Sequence, residues 1–68
     1  MYLIEFINKV VTVYMPVGKL VGTLDDVSDD GVMLRDVTRP IQPDLGVYKH
    51  YQYTLVSWSG ITYIGHSE

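Results

Sequence analysis

The single tryptophan, Trp58, is the residue best suited to hold a ligand in this chain. It stands between Ser57 and Ser59 and is followed by Gly60. An indole in such a polar, open segment can stack on an unpaired nucleobase, as aromatic side chains do in proteins that bind single strands. Tryptophan is also enriched where subunits meet, so contact with a second copy is the alternative interpretation, and we rank it slightly ahead.

Acidic residues are concentrated ahead of and within a short turn. Carboxylate oxygens are the ligands that divalent cations prefer, but the spacing here is not that of an EF-hand loop. Asp and Gly at such positions are typical of a tight hairpin. We therefore expect a solvated turn, with no metal and no cofactor. The residues of this region are Asp25, Asp26, Ser28, Asp29, Asp30 and Gly31.

Basic residues flank a proline-containing segment. Arg35, Arg39, Lys49 and His50 could converge on a phosphate backbone and form a secondary basic patch. The chain has five Lys and Arg against eight Asp and Glu, for a net charge of −3. Ordinary solubilising charge is therefore the favoured interpretation. In a ring, however, each charge is repeated around the axis, and a weak patch can become a basic belt.

Nothing in the sequence suggests an enzyme. Ser57, Ser59 and His50 lack the partners that nucleophilic catalysis needs. No phosphate-binding glycine loop is present, and the absence of cysteine excludes disulfides and thiolate metal sites.

The length predicts one small domain covering residues 1–68. A chain of this size buries only about 60% of its unfolded surface, so its core is marginal alone. Association with copies of itself is the stabilising device that remains. No run is long and apolar enough to span a membrane, and the N-terminal residues lack the basic leader and cleavage pattern that a secretory signal is expected to show. We expect a cytoplasmic protein without a membrane partner.

Periodicity predicts a mainly β fold with a short N-terminal helix over Tyr2–Asn8, for which a strand is the alternative. Gly22 inside a strand indicates a sharp bend, and a slip in the alternation predicts a bulge near Asp25 and Asp26. The segment Thr38–Gly46 contains two prolines and is expected to be a loop. The result is a small, strongly bent, five-stranded antiparallel barrel. Its strands are expected at Val10–Met15, Lys19–Asp26, Val32–Val37, Val47–Trp58 and Ile61–Ile64.

The order of a helix and five strands resembles the Sm-like (LSm) family, whose barrel is of the SH3-like kind. The most specific likeness is a glycine-x-leucine, followed by a hydrophobic-x-leucine-x-acid pattern. The resemblance implies a closed homo-oligomeric ring of about five to seven subunits. It also implies single-stranded RNA binding between the third and fifth loops of neighbouring subunits. The residues that carry it are Gly22-Thr23-Leu24, Val27, Val32-Met33-Leu34 and Asp36-Val37, with weaker likeness at Asn8-Lys9-Val10-Val11 and Ile61–Ile64.

The nucleotide-contacting positions depart from the family pattern. Ser28 and Gly31 stand where RNA-binding members carry aspartate and asparagine, and Asp30 stands where a base-stacking residue is common. Ser57 and Trp58 replace arginine and glycine. The alternative function is therefore a structural or protein-binding ring that has lost RNA binding. The candidate RNA-binding residues are Ser28, Asp30, Gly31, Ser57, Trp58 and Ser59.

A second, local likeness is to the bacterial RNA chaperone Hfq, itself Sm-like. The segment Val47-Tyr48-Lys49-His50 resembles its Tyr-Lys-His segment, which lies there between the last two strands. In our register the segment opens the fourth strand instead, and the two registers exclude each other. We prefer the register with a turn at Ser59-Gly60 because it leaves Ile61–Ile64 as a strand.

Overall fold

The computed structural model describes residues 3–66. Its strands form one antiparallel sheet in the order β4-β3-β2-β1-β5, which confirms the predicted mainly β, five-stranded antiparallel fold. The sheet is not closed within the chain, because β4 and β5 lie at its opposite edges. The strands are β1 (Val10–Met15), β2 (Gly18–Val27), β3 (Gly31–Gln42), β4 (Val47–Ser57) and β5 (Tyr63–His66), and 3-10 helices cover Leu3–Phe6, Pro43–Leu45 and Trp58–Gly60.

One apolar cluster lies against the sheet. It draws side chains from four strands, which alternate inward and outward as the period of an extended chain requires. Leu3, Phe6 and Ile64 pack at its margin, so the N-terminal segment and β5 complete the same core. The buried members are Val11, Val13, Leu20, Leu24, Val32, Leu34, Val37 and Val56.

The β2–β3 pairing is interrupted twice, and both interruptions involve residues that the sequence marks. Gly22 faces two residues of β3, Asp36 and Val37, where the register shifts between Val21 and Thr23. Asp36 adopts a left-handed conformation with φ 52°, which aspartate tolerates better than most residues. The second shift leaves Asp25 as an extra residue on β2, and this confirms the predicted bulge.

The N-terminal helix is shorter than predicted. A single 3-10 turn over Leu3–Phe6 replaces the two-turn helix, and Tyr2 lies outside the described residues. The chain turns at Asn8, whose φ is 72°. The Asn8 amide then donates to the Leu24 carbonyl at 2.7 Å and the Leu24 amide to the Lys9 carbonyl at 3.0 Å. These bonds draw the chain into β1, so the helix cannot continue.

The predicted loop Thr38–Gly46 is wrong in its first half. β3 continues to Gln42 and pairs with β4, with Pro40 opposite Tyr48. Proline is tolerated here because the pairing of β3 with β2 ends at Thr38, so one side of β3 needs no amide donor. Only the 3-10 helix Pro43–Leu45 and Gly46, at φ 72°, form the connection.

The connection between β4 and β5 is a 3-10 helix over Trp58–Gly60, so β4 ends at Ser57 and β5 begins at Tyr63 rather than Ile61. Val47 opens β4, as the preferred register requires. Among residues 3–66, no helix is long and apolar enough to cross a bilayer.

Candidate nucleic-acid interface

The turn between β2 and β3 is fixed by its own serine. The Ser28 amide donates to the Gly31 carbonyl at 2.9 Å, and the Ser28 hydroxyl donates to the same oxygen at 3.4 Å. The Asp30 amide in turn donates to the Ser28 hydroxyl at 3.3 Å. Serine at this position therefore holds the turn closed through local side-chain bonds.

Trp58 directly follows the last residue of β4 and lies against this turn. Its indole Nε1 donates to the Ser28 carbonyl at 2.9 Å, and its amide donates to the Asp30 carbonyl at 3.4 Å. The side chain remains 39% exposed, so part of the ring is open to solvent. The fold thus brings all six predicted RNA-binding residues together. We call this group the Trp58 cluster, and it comprises Ser28, Asp30, Gly31, Ser57, Trp58 and Ser59.

Gly31 lies in this cluster at a point where the backbones of β3 and β4 come close together. It pairs with Ser57 across the β3–β4 ladder and adopts φ 154°. A Cβ at this position would overlap the Val56 carbonyl oxygen and lie 2.8 Å from the Ser57 Cα. The asparagine that RNA-binding relatives of the resembled family carry has no room at Gly31. The backbone at Gly31 therefore requires glycine, and a contact between Gly31 and RNA stays a prediction.

The charge near the Trp58 cluster is negative. Asp29 and Asp30 are exposed in the turn. Arg35, the cation nearest to this end of β3, is engaged elsewhere: its Nη1 donates at 3.0 Å to both Asp25 Oδ1 and Asn8 Oδ1. Arg35 thus joins the Asp25 bulge to the turn at Asn8. It acts as a link between elements and does not face the Trp58 cluster with a free charge.

The other members of the predicted basic patch lie at the opposite end of the β3–β4 hairpin. Arg39 pairs directly with Lys49, and Thr38 pairs with His50. The Thr38 hydroxyl and the His50 Nδ1 are 3.2 Å apart. Beyond Thr38 this hairpin has no β2 partner, and we call residues 39–50 the hairpin arm. The predicted patch is therefore divided: three members lie at this arm and Arg35 does not.

The two edge strands carry large exposed side chains. On β4, Tyr53 and Leu55 are 58% and 54% exposed, and on β5 Tyr63 is 58% exposed. In the sequence β4 carries apolar residues on both of its alternating faces, and one of these faces stays exposed in the chain. Tyr63 stacks on Tyr14 across the β1–β5 ladder, with ring centroids 4.4 Å apart, a pair that the sequence analysis did not identify.

An apolar groove accompanies each edge. The groove on the β4 side has a volume of about 390 Å³ and is lined chiefly by Met15, Leu20, Tyr51, Leu55 and Val56. The groove on the β5 side has a volume of about 340 Å³ and is lined by Leu3, Trp58, Ile61, Thr62, Tyr63 and Ile64. Trp58 therefore borders both the acidic turn and an apolar surface.

Neither comparison of the sequence with known proteins places this chain in a family. No protein-family model matches it, and no curated protein matches it at a significant level. The interpretation of the site therefore depends on the geometry described above.

Proposed function

We propose that this chain is an Sm-like subunit of a homo-oligomeric ring that binds single-stranded RNA at the Trp58 cluster. In this proposal the bent sheet is a partly open barrel, and neighbouring copies complete it. The observation that carries the proposal is the position of β4 and β5 at opposite edges of one short sheet, each beside an apolar groove.

Assembly is supported by the state of these edges. An unpaired strand edge presents free amides and carbonyls and is a liability unless it is paired or blocked. β4 has eleven residues, and all but Thr54 and Val56 are exposed. Pairing β4 of one copy with β5 of the next is a head-to-tail contact, and such contacts close into a ring when the rotation permits. Each contact would also cover exposed apolar side chains of the two edges, among them Leu55 on β4 and Tyr63 on β5.

RNA binding is supported by the arrangement around Trp58. The indole N–H is held by the Ser28 carbonyl, so the ring is fixed before a base arrives, and part of its surface is exposed. Preorganised aromatic groups lose little conformational freedom on binding. Stacking of a base on such a ring contributes roughly 1–3 kcal/mol. In an Sm-like ring, this position lies where the third and fifth loops meet.

A second candidate is a ring that binds protein or only itself. Two observations favour it. The exposed carboxylates of Asp29 and Asp30 would repel phosphate, and Trp58 borders the apolar groove on the β5 side, where a neighbouring chain could cover it. In that case Trp58 is an interface anchor.

Substitution of Trp58 separates the two candidates. Trp58→Ala removes the stacking surface, and we expect it to weaken binding of a uridine- and adenine-rich RNA about tenfold or more while the ring survives. Binding is measured by fluorescence anisotropy and assembly by light scattering on the same samples. Asp30→Asn should strengthen binding, because it removes a negative charge close to the RNA phosphates.

Trp58→Phe is the matched control. It keeps an aromatic face but loses the bond from Nε1 to Ser28, and it should retain most of the RNA affinity. Two results together would favour the protein-binding ring. Trp58→Ala would dissociate the ring, and neither the parent nor the Asp30→Asn variant would bind RNA. An intact Trp58→Ala ring with unchanged RNA affinity would exclude the Trp58 cluster as the binding site.

A further inference from the structure

The hairpin arm, residues 39–50, carries an arrangement of charge that its own fold does not stabilise. Arg39 and Lys49 are direct partners across the β3–β4 ladder. Directly opposite residues of an antiparallel pair have Cβ atoms about 4.5–5.5 Å apart, and like charges there destabilise the pair. Two cations at this separation repel each other in the free protein.

No acidic side chain of the described residues, 3–66, neutralises this pair. The salt bridge found among them joins Arg35 to Asp25, away from the arm. The acidic residue within the arm, Asp44, lies in the 3-10 helix at the tip. Arg39 and Lys49 are both exposed, as are all the residues from Ile41 to Tyr53. An anion that bridges the two side chains would remove the repulsion at little cost in desolvation.

One tyrosine next to the arm shares the face of the two cations. Tyr51 lies two residues after Lys49 and therefore points to the same side of β4, whereas Tyr48, adjacent to Lys49, points to the opposite side. Both tyrosines are exposed. Cations that follow a backbone, with aromatic rings among them, are the combination by which proteins hold single-stranded nucleic acid. Within residues 39–50 two cations, Arg39 and Lys49, stand against one carboxylate, Asp44, so the local charge favours a polyanion.

We propose that Arg39 and Lys49 form a phosphate-binding site for single-stranded RNA, distinct from the Trp58 cluster. This inference rests on the proposed RNA-binding function. The two sites lie at opposite ends of one hairpin, since Arg39 is eight residues from Gly31 along β3, a separation of at most about 26 Å at the rise of an extended chain. Trp58 would contact a base, and the arm would contact the backbone of the same strand. The arm would therefore supply the salt dependence of binding.

The test is Lys49→Glu, compared with Lys9→Glu as a control of identical charge change. Lys9 is exposed and lies before β1, outside the arm. RNA affinity is measured by anisotropy between about 50 and 250 mM salt. Each phosphate contact on a single strand contributes about 0.7 to the slope of log K against log salt. The new carboxylate pairs with Arg39, so two contacts are lost and the slope should fall by about 1.4.

A second readout is thermal stability. Because Lys49→Glu replaces a repulsive pair by an attractive one, its melting temperature should equal or exceed the parent's while RNA binding weakens. Arg39→Gln is the second variant, and it should weaken binding without lowering the melting temperature.

Equal effects of Lys49→Glu and Lys9→Glu on the slope would overturn the site, because bulk charge would then be sufficient. If Trp58→Ala weakens binding and both arm variants leave it unchanged, the arm proposal fails and the RNA-binding function stands. If the parent binds no RNA at any salt concentration, both fail together.

Discussion

Two glycines occupy positions where backbone comes close to backbone. At Gly22 a Cβ would lie 3.1 Å from the Arg35 carbonyl oxygen and 3.2 Å from a methyl of Val37. At Gly31 it would overlap the Val56 carbonyl. The sequence indicates the first of these, because a glycine inside a strand is unusual. It gives no such indication for Gly31, which reads equally well as an ordinary turn residue.

Gly22→Val should destabilise the protein by about 1–3 kcal/mol, because the larger side chain overpacks the β2–β3 contact. Chemical denaturation, with the midpoint and slope both fitted, measures the loss. Gly60→Ala is the control, since its Cβ would meet only the Ser57 hydroxyl at 3.9 Å. A Gly22→Val protein that melts at or above the parent's temperature would show that no close approach exists there.

Gly31→Asn should cost more, about 2 kcal/mol or above, because it combines an unfavourable φ with a backbone overlap. The same substitution restores the residue type of RNA-binding Sm-like proteins at this position. If the variant folds normally and binds RNA more tightly, Gly31 has a nucleotide-contacting role and the packing explanation is wrong.

At the scale of elements, the N-terminal 3-10 helix has one docked and one free side. Phe6 is half-buried against the core and lies 4.7 Å from the His66 ring, between centroids. Ile4 of the same helix is 67% exposed. Short helices are not stable alone, so docking must hold this turn in place.

Phe6→Ala should therefore lower the free energy of unfolding by about 1–2 kcal/mol, less than for a fully buried aromatic. Ile4→Ala should change it by less than about 0.5 kcal/mol. Urea denaturation followed by tryptophan fluorescence measures both. Equal losses for the two variants would mean that the helix does not dock as described.

Strand positions were predictable to the extent that alternation marked them. β1 was predicted with its bounds, and Val32 and Leu34 of β3 point inward as expected. The second half of β3 was missed because proline usually ends a strand. Only the tertiary arrangement shows that β3 has no neighbouring strand on its β2 side at Pro40. The division of the basic patch followed from this error. Cross-strand register, which opposes Arg39 to Lys49, has no signal in a single sequence.

That the six residues of the Trp58 cluster lie close together was predictable from the family resemblance, although the resemblance implied loops of neighbouring subunits and the structure joins them within one chain. The bonds within the cluster were not. That the indole donates to Ser28, and that Arg35 is held by Asp25 and Asn8, depends on side-chain geometry across three elements.

At the scale of the whole molecule, the small core and the two open apolar edges are both explained by the proposed assembly. A 68-residue chain has limited apolar burial of its own. Exposed apolar side chains at its two edges include Tyr53 and Leu55 on β4 and Tyr63 on β5. Burying them between copies would add apolar burial to the small core of each copy. Leu55→Lys should accordingly weaken assembly while leaving the fold of each subunit intact, as far-ultraviolet circular dichroism would record.

The most direct test of this account is the mass of the native protein at micromolar concentration, measured by native mass spectrometry and by sedimentation velocity. We predict a single closed species of about five to seven times the 7.7 kDa subunit mass, shifted toward smaller species by Leu55→Lys and not by Ile4→Ala. A well-folded monomer of 7.7 kDa at that concentration would contradict the proposed ring.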